Sequence, residues 1–144
     1  MQEQAVEILF EAIEPYRRQC EESFRKLLGA PAFDFDENLR ARLPEKPGLY
    51  VIRTKEMPTE FLHAGGTRAR ASLKARVWGD HFTGNGESDL IVKVINNGRA
   101  RGADEAKVWI RSNCVVQWLV VEEEGFVCWA EHYMLGIVRP IWGA

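Results

Sequence analysis

The sequence predicts an α+β fold: a three-stranded antiparallel sheet flanked by helices and preceded by a helical extension. Three short runs rich in β-branched and aromatic residues, each bounded by turn-forming residues, supply the strands. The remaining chain repeats apolar residues at three- and four-residue steps, the helical signature. The first two β-runs are separated by a short connection, which favours a hairpin.

Each element follows in order. Val6, Phe10, Ile13, Cys20, Phe24 and Leu27 recur at helical spacing over residues 3–28. Pro15 interrupts them, which predicts two helices or a kink, the second opening on Pro15 and closing at Gly29. Their apolar stripe must be buried on the following domain or on a second copy of the chain, and burial within the chain is favoured. Residues 30–47 (APAFDFDENLRARLPEKP) read as a connector with one helical turn. The extension and connector therefore occupy residues 1–46 and the main domain residues 47–144. Gly48 to Arg53 forms the first strand, bounded by Pro47-Gly48 and Met57-Pro58. Glu60 to Ala64 forms the second, ended by Gly65-Gly66. Residues 69–81 form a helix with Leu73, Val77 and Trp78 as its apolar contacts, and a Gly-rich loop (GDHFTGNG) follows. Ser88 caps a helix through Leu90, Ile91, Val94 and Ile95 that stops at Asn96-Asn97-Gly98. Ala103 to Ser112 is a further helix, Cys114 to Val121 the clearest strand, and Val127 to Val138 the closing helix.

Composition narrows the class. At 144 residues, 46% hydrophobic and 28% charged, the chain can bury one core and is not a disordered segment. Three widely spaced cysteines, Cys20, Cys114 and Cys128, contain no CxxC pair, which fits a reducing, cytoplasmic setting without a disulfide framework. No signal peptide and no membrane span is visible. Residues 1–40 carry nine acids and five bases, residues 41–144 twelve acids and fourteen bases. In the second region the bases cluster. Arg68, Arg70 and Lys74 near Arg76, and Arg99 and Arg101 beyond Lys93, are the candidate contacts to a nucleic-acid backbone. A solvated surface is the alternative.

The closing helix carries an anomaly. In VCWAEHYMLGIV, Val127, Ala130, Met134, Ile137 and Val138 share one arc at about 100° per residue. Glu131 projects inside that arc, between Val138 and Leu135. Burying an ionised carboxylate is costly unless it is paired, protonated or bound to a metal. Either Glu131 is a buried partner of an arginine that fixes packing, or it is used.

Gly48-Leu49-Tyr50 on the first strand and His63-Ala64-Gly65 on the second resemble the paired motifs of the GIY-YIG nuclease family. Arg76 in LKARVWGDHF is similar to the family's helical arginine. The closing AEHYMLGIVRPIWG resembles its metal-ligand glutamate helix, and the Arg-Pro-x-Trp ending is nearest to the restriction-endonuclease-like branch. The resemblance covers roughly residues 47–143 and implies metal-dependent hydrolysis of DNA phosphodiesters. Glu131 would then hold Mg²⁺ or Mn²⁺, which commonly take only one or two protein carboxylates. Tyr50 would orient or deprotonate the attacking water, and Arg76 would stabilise charge on the phosphoryl oxygens. Two positions depart from the pattern. His63 stands where the second motif has tyrosine; it either moves protons in the phenol's place or packs on its strand. Gly143 stands where an asparagine is expected. His81 falls five residues after Arg76, one more than the usual helical placement, so Asp80 shares the Arg76 face better.

Each candidate also has a plain reading. Tyr50 is a core aromatic, Arg76 an exposed arginine, and Trp109, Trp118, Trp129 and Trp142 are packing residues. Two function classes follow: a small DNA endonuclease with catalytic Tyr50, His63, Arg76 and Glu131, or a catalytically degenerate module of the same fold that binds nucleic acid or protein. A third is a module whose N-terminal helices form a homodimer or meet a protein partner.

Overall fold

Side-chain alternation along the strands sorts the core onto two faces of one sheet. In the computed structural model, residues 2–67, 71–82 and 89–143 are described. The chain runs α1 (Gln2–Gly29), β1 (Phe33–Asp34), α2 (Leu39–Arg42), β2 (Gly48–Thr54), β3 (Phe61–Thr67), a π-helical segment (Lys74–Phe82), α3 (Asp89–Asn96), α4 (Ala103–Asn113), β4 (Cys114–Val120) and α5 (Glu124–Val138). The class is α+β as expected, but the sheet has four strands rather than three. Its order is β1-β4-β2-β3, with all pairings antiparallel. The additional strand, Phe33–Asp34, lies in the segment read as a connector, and two residues are too few to show alternation.

β2 is the spine. Tyr50 opposes Gly65 on β3 and Trp118 on β4, and Ile52 opposes His63 and Val116. Tyr50 and Ile52 face a core built with Leu73, Val77, Leu90, Ile91 and Ile110, from the π-helical side of the molecule. Leu49 and Val51 face the other way, onto Leu27 of α1 and Phe126, Val127, Ala130 and Met134 of α5. Gly48 is required by a close approach: a Cβ there would collide with the Leu119 carbonyl oxygen. β3 runs straight through Gly65-Gly66 to Thr67, whose Oγ1 accepts from the Gly48 N–H at 3.1 Å. It does not end at the glycines.

α1 is one helix, with Pro15 inside it. A proline removes one intrahelical hydrogen bond, but Glu14 bridges forward to Arg17 and Arg18, and Arg17 reaches on to Glu21. Its end is held by Gln117 of β4. The Gln117 Nε2 donates to the carbonyls of Leu28 (2.9 Å) and Ala30 (2.7 Å), the first of which an α-helix leaves without an intrahelical donor. The Arg53 Nε donates to the Gln117 Oε1 at 3.1 Å. Burial within the chain covers only part of the α1 stripe: Cys20 and Leu27 are buried, whereas Val6, Leu9, Phe10, Ile13 and Tyr16 are exposed. The stripe expected to fold back on the domain does so over its second half alone.

Of the helix expected over residues 69–81, the described part is the segment Lys74–Phe82, which has π geometry with hydrogen bonds closing from i to i+5. Arg68 and Arg70, and the capping Ser88, lie outside the described residues. In α5 the buried residues are Phe126, Val127, Ala130 and Met134, while Ile137 is exposed rather than part of the apolar arc. No helix among the described residues is long and apolar enough to cross a membrane.

Candidate functional site

Where Tyr50 opposes Gly65, the phenol ring lies flat over the missing side chain. A Cβ at Gly65 would sit 2.7 Å from the Tyr50 Oη. That space lets the hydroxyl reach the π-helix, where it bonds the His81 Nε2 at 2.6 Å. Both groups are buried, with His81 fully so. The π geometry explains why His81 arrives here: a five-residue step from Arg76 brings the two round to one side, which an α-helix would not do. His81 is therefore a principal member of the cluster, not the weak candidate its spacing suggested.

His63, on the same sheet face, packs beside both. Its ring centroid is 5.9 Å from Tyr50 and 4.5 Å from His81. Lys93 of α3 closes the group, its Nζ 3.0 Å from the His63 Nδ1 and donating to the Gly143 carbonyl at 2.9 Å. An ammonium has no acceptor, so the His63 Nδ1 accepts and its proton sits on Nε2. Gly143, which lacks the expected asparagine side chain, meets the cluster through its backbone.

Burial dominates the electrostatics. It pushes the His63 pKa down to about 4 and that of His81 down to about 2, helped by the neighbouring positive groups, so both rings rest neutral. Burial pushes the Tyr50 phenol up, opposed by the adjacent Arg76 charge. Tyr50 keeps its proton and donates it to the His81 Nε2, and the His81 Nδ1 then has no hydrogen-bond partner among the described residues. Arg76 faces the Tyr50 oxygen and is ion-paired with Asp80 (3.2 Å) and Asp89 (3.4 Å).

Glu131 approaches from the opposite sheet face. β3 is an edge strand, and a Cβ at Gly66 would meet the Glu131 Oε2 and the Val127 Cγ1, each at 2.9 Å. The adjacent glycines thus hold Tyr50 on one side and Glu131 on the other, close enough for the carboxylate charge to act on the phenol. Glu131 is half-buried. It makes no ion pair or hydrogen bond among the described residues, so the expected alternative of a buried Glu131–Arg76 pair is not formed.

No family model, no curated protein and no solved structure matches this chain. The assignment of chemistry therefore rests on the geometry.

Tyr50, His63 and Arg76 come together on one face, with Glu131 across the edge. The other basic candidates do not join them among the described residues. Lys74 pairs with Glu45 at 3.8 Å, and Arg99 and Arg101 are exposed in the α3–α4 connection, where the Arg101 N–H is held by Glu105. His81, Lys93 and Asp89 complete the cluster beyond what the strand motifs named. The signal for His81 was the five-residue interval itself. Lys93 carried none, because its contact with His63 spans 30 residues.

Proposed function

We propose that the chain is a small metal-dependent DNA endonuclease of the GIY-YIG kind, hydrolysing phosphodiester bonds at the Gly65-Gly66 edge. The observation that carries this reading is the convergence there of Tyr50, Arg76 and His81 from one face and an otherwise unengaged Glu131 from the other. Among the described residues no three His, Cys, Asp or Glu side chains form a metal cage. A half-buried single carboxylate instead suits Mg²⁺ or Mn²⁺, whose remaining positions are filled by water and phosphate oxygens. Bound at Glu131, such a cation would withdraw charge from the phosphate under attack.

The remaining steps belong to the side chains. Tyr50 orients the attacking water through its oxygen, and as the water loses its proton to that oxygen the phenolic hydrogen passes to the His81 Nε2. The resting His81 is a poor acceptor. An incoming phosphate adds negative charge beside the ring and raises its pKa. Arg76 stabilises charge on the phosphoryl oxygens once it leaves Asp80 or Asp89. His63, its tautomer set by Lys93, contributes an N–H to the same cluster.

Incubation of supercoiled plasmid with the protein and Mg²⁺ or Mn²⁺ tests this. Nicking that is lost in EDTA and in Glu131→Ala is expected. No cleavage by folded protein with either metal overturns the reading. A second reading, a catalytically degenerate module that binds nucleic acid or protein, is favoured by the two carboxylates that occupy Arg76. It predicts DNA retention without strand scission.

A further inference from the structure

We infer that two copies of this chain associate through the exposed first half of α1, packed antiparallel on itself. This inference is independent of the catalytic reading. Val6, Leu9, Ile13, Tyr16 and Cys20 follow one another at steps of three, four, three and four, a coiled-coil spacing. Cys20 is covered by the body of the chain, and the other four are exposed, Leu9 and Tyr16 by about two-thirds (66% and 65%). A free-standing helix of about this length is marginal in water, and one containing proline more so. The segment needs a covering surface.

The sequence specifies a second copy as that surface. Residues 2–16 carry four acids and no base, whereas residues 17–29 carry four bases and two acids. Parallel pairing would stack like on like; antiparallel pairing sets each acidic end beside a basic half and opposes the helix dipoles. The register is fixed by the apolar residues. With the twofold axis beside Glu11, Val6 of one copy meets Tyr16 of the other and Leu9 meets Ile13, so all four exposed residues are used. The same register places Phe10 beside Phe10 of the second copy and Glu3 beside its Arg17. The incoming Val6 end also lies by a groove of about 400 Å³ lined by Tyr16, Cys20, Phe126 and the exposed Trp129. That groove continues the apolar surface and makes the interface self-complementary, as a twofold contact requires.

Sedimentation of the full chain is expected to give a dimer with a roughly micromolar dissociation constant. A chain that stays monomeric at about 100 µM overturns the proposal and leaves the face to a different protein. Leu9→Glu/Ile13→Glu changes only exposed residues and is expected to give monomer; an unchanged dimer overturns the proposal. Glu3→Arg is expected to weaken association about five-fold, and an unchanged dissociation constant overturns the register. Orientation is read by oxidative cross-linking against the unsubstituted chain. Ala12→Cys is expected to link the two copies. Val6→Cys is not, because the two sites lie about 15 Å apart along the antiparallel pair. Linking at Val6 and not at Ala12 indicates a parallel pair and overturns the proposal.

Discussion

The two faces of the sheet are built from the same strands yet handle polar groups in opposite ways. On the α5 side, Leu49 and Val51 meet an apolar layer, and the buried Gln117 there has both its amide hydrogens and its oxygen engaged. On the π-helical side, Tyr50, His63 and His81 are packed together, two rings are held neutral, and the His81 Nδ1 is unpartnered among the described residues. A buried polar atom without a hydrogen bond costs about 1–3 kcal/mol. Apart from Glu131 at its edge, the first face is arranged for stability, and the second sacrifices stability to hold titratable groups beside one another, the usual mark of a working site.

That contrast can be broken by substitution, from the largest expected change in stability to the smallest. Leu49→Ala opens a cavity in the apolar layer and is expected to cost about 3 kcal/mol in urea denaturation. Acidification should strike the other face. The folded-state pKa of His63, about 4, lies below its ordinary 6.5. The unfolded chain therefore takes the proton first, and stability is complete above pH 6.5 and falls as pH drops through 4. His63 alone is expected to remove about 3 kcal/mol over that window, seen as a falling melting temperature that is flatter in His63→Gln. Gln117→Leu removes the donor to the Leu28 and Ala30 carbonyls and should cost about 2 kcal/mol. Smallest is Tyr50→Phe/His81→Leu, which removes the polar pair together. Its stability is expected within about 1 kcal/mol of the parent, while any cleavage activity falls at least about 100-fold. A large loss of stability in that variant would make the pair structural and erase the contrast.

How far these features were legible depends on the range of the interaction behind them. β2, β3 and β4 were readable because a run of β-branched and aromatic residues bounded by turn formers is a local signal, while Phe33–Asp34 is too short to make such a run and is held by its register with Val116 and Val115. Glu131 announced itself because a lone acid on an apolar helix face contradicts its neighbours. His81 was lost by assuming α geometry between it and Arg76, where the chain adopts the wider π turn. The place of Lys93, and the pairing of Arg76 with Asp89 rather than Glu131, are tertiary outcomes without periodic trace. The α1 stripe was visible throughout, but periodicity tells only that a face needs covering, not what covers it.

The Gln117 bridge also orders events in time. Its acceptors on Leu28 and Ala30 lie 89 and 87 residues earlier in the chain. Loop closure over such a separation is slow relative to forming a helix turn or a hairpin. α1 is synthesised before β4, and its final turn waits for a strand that follows almost ninety residues later. A helix made earlier thus locks only after a later strand, and the half of its apolar stripe that packs on α5 finds its cover later still.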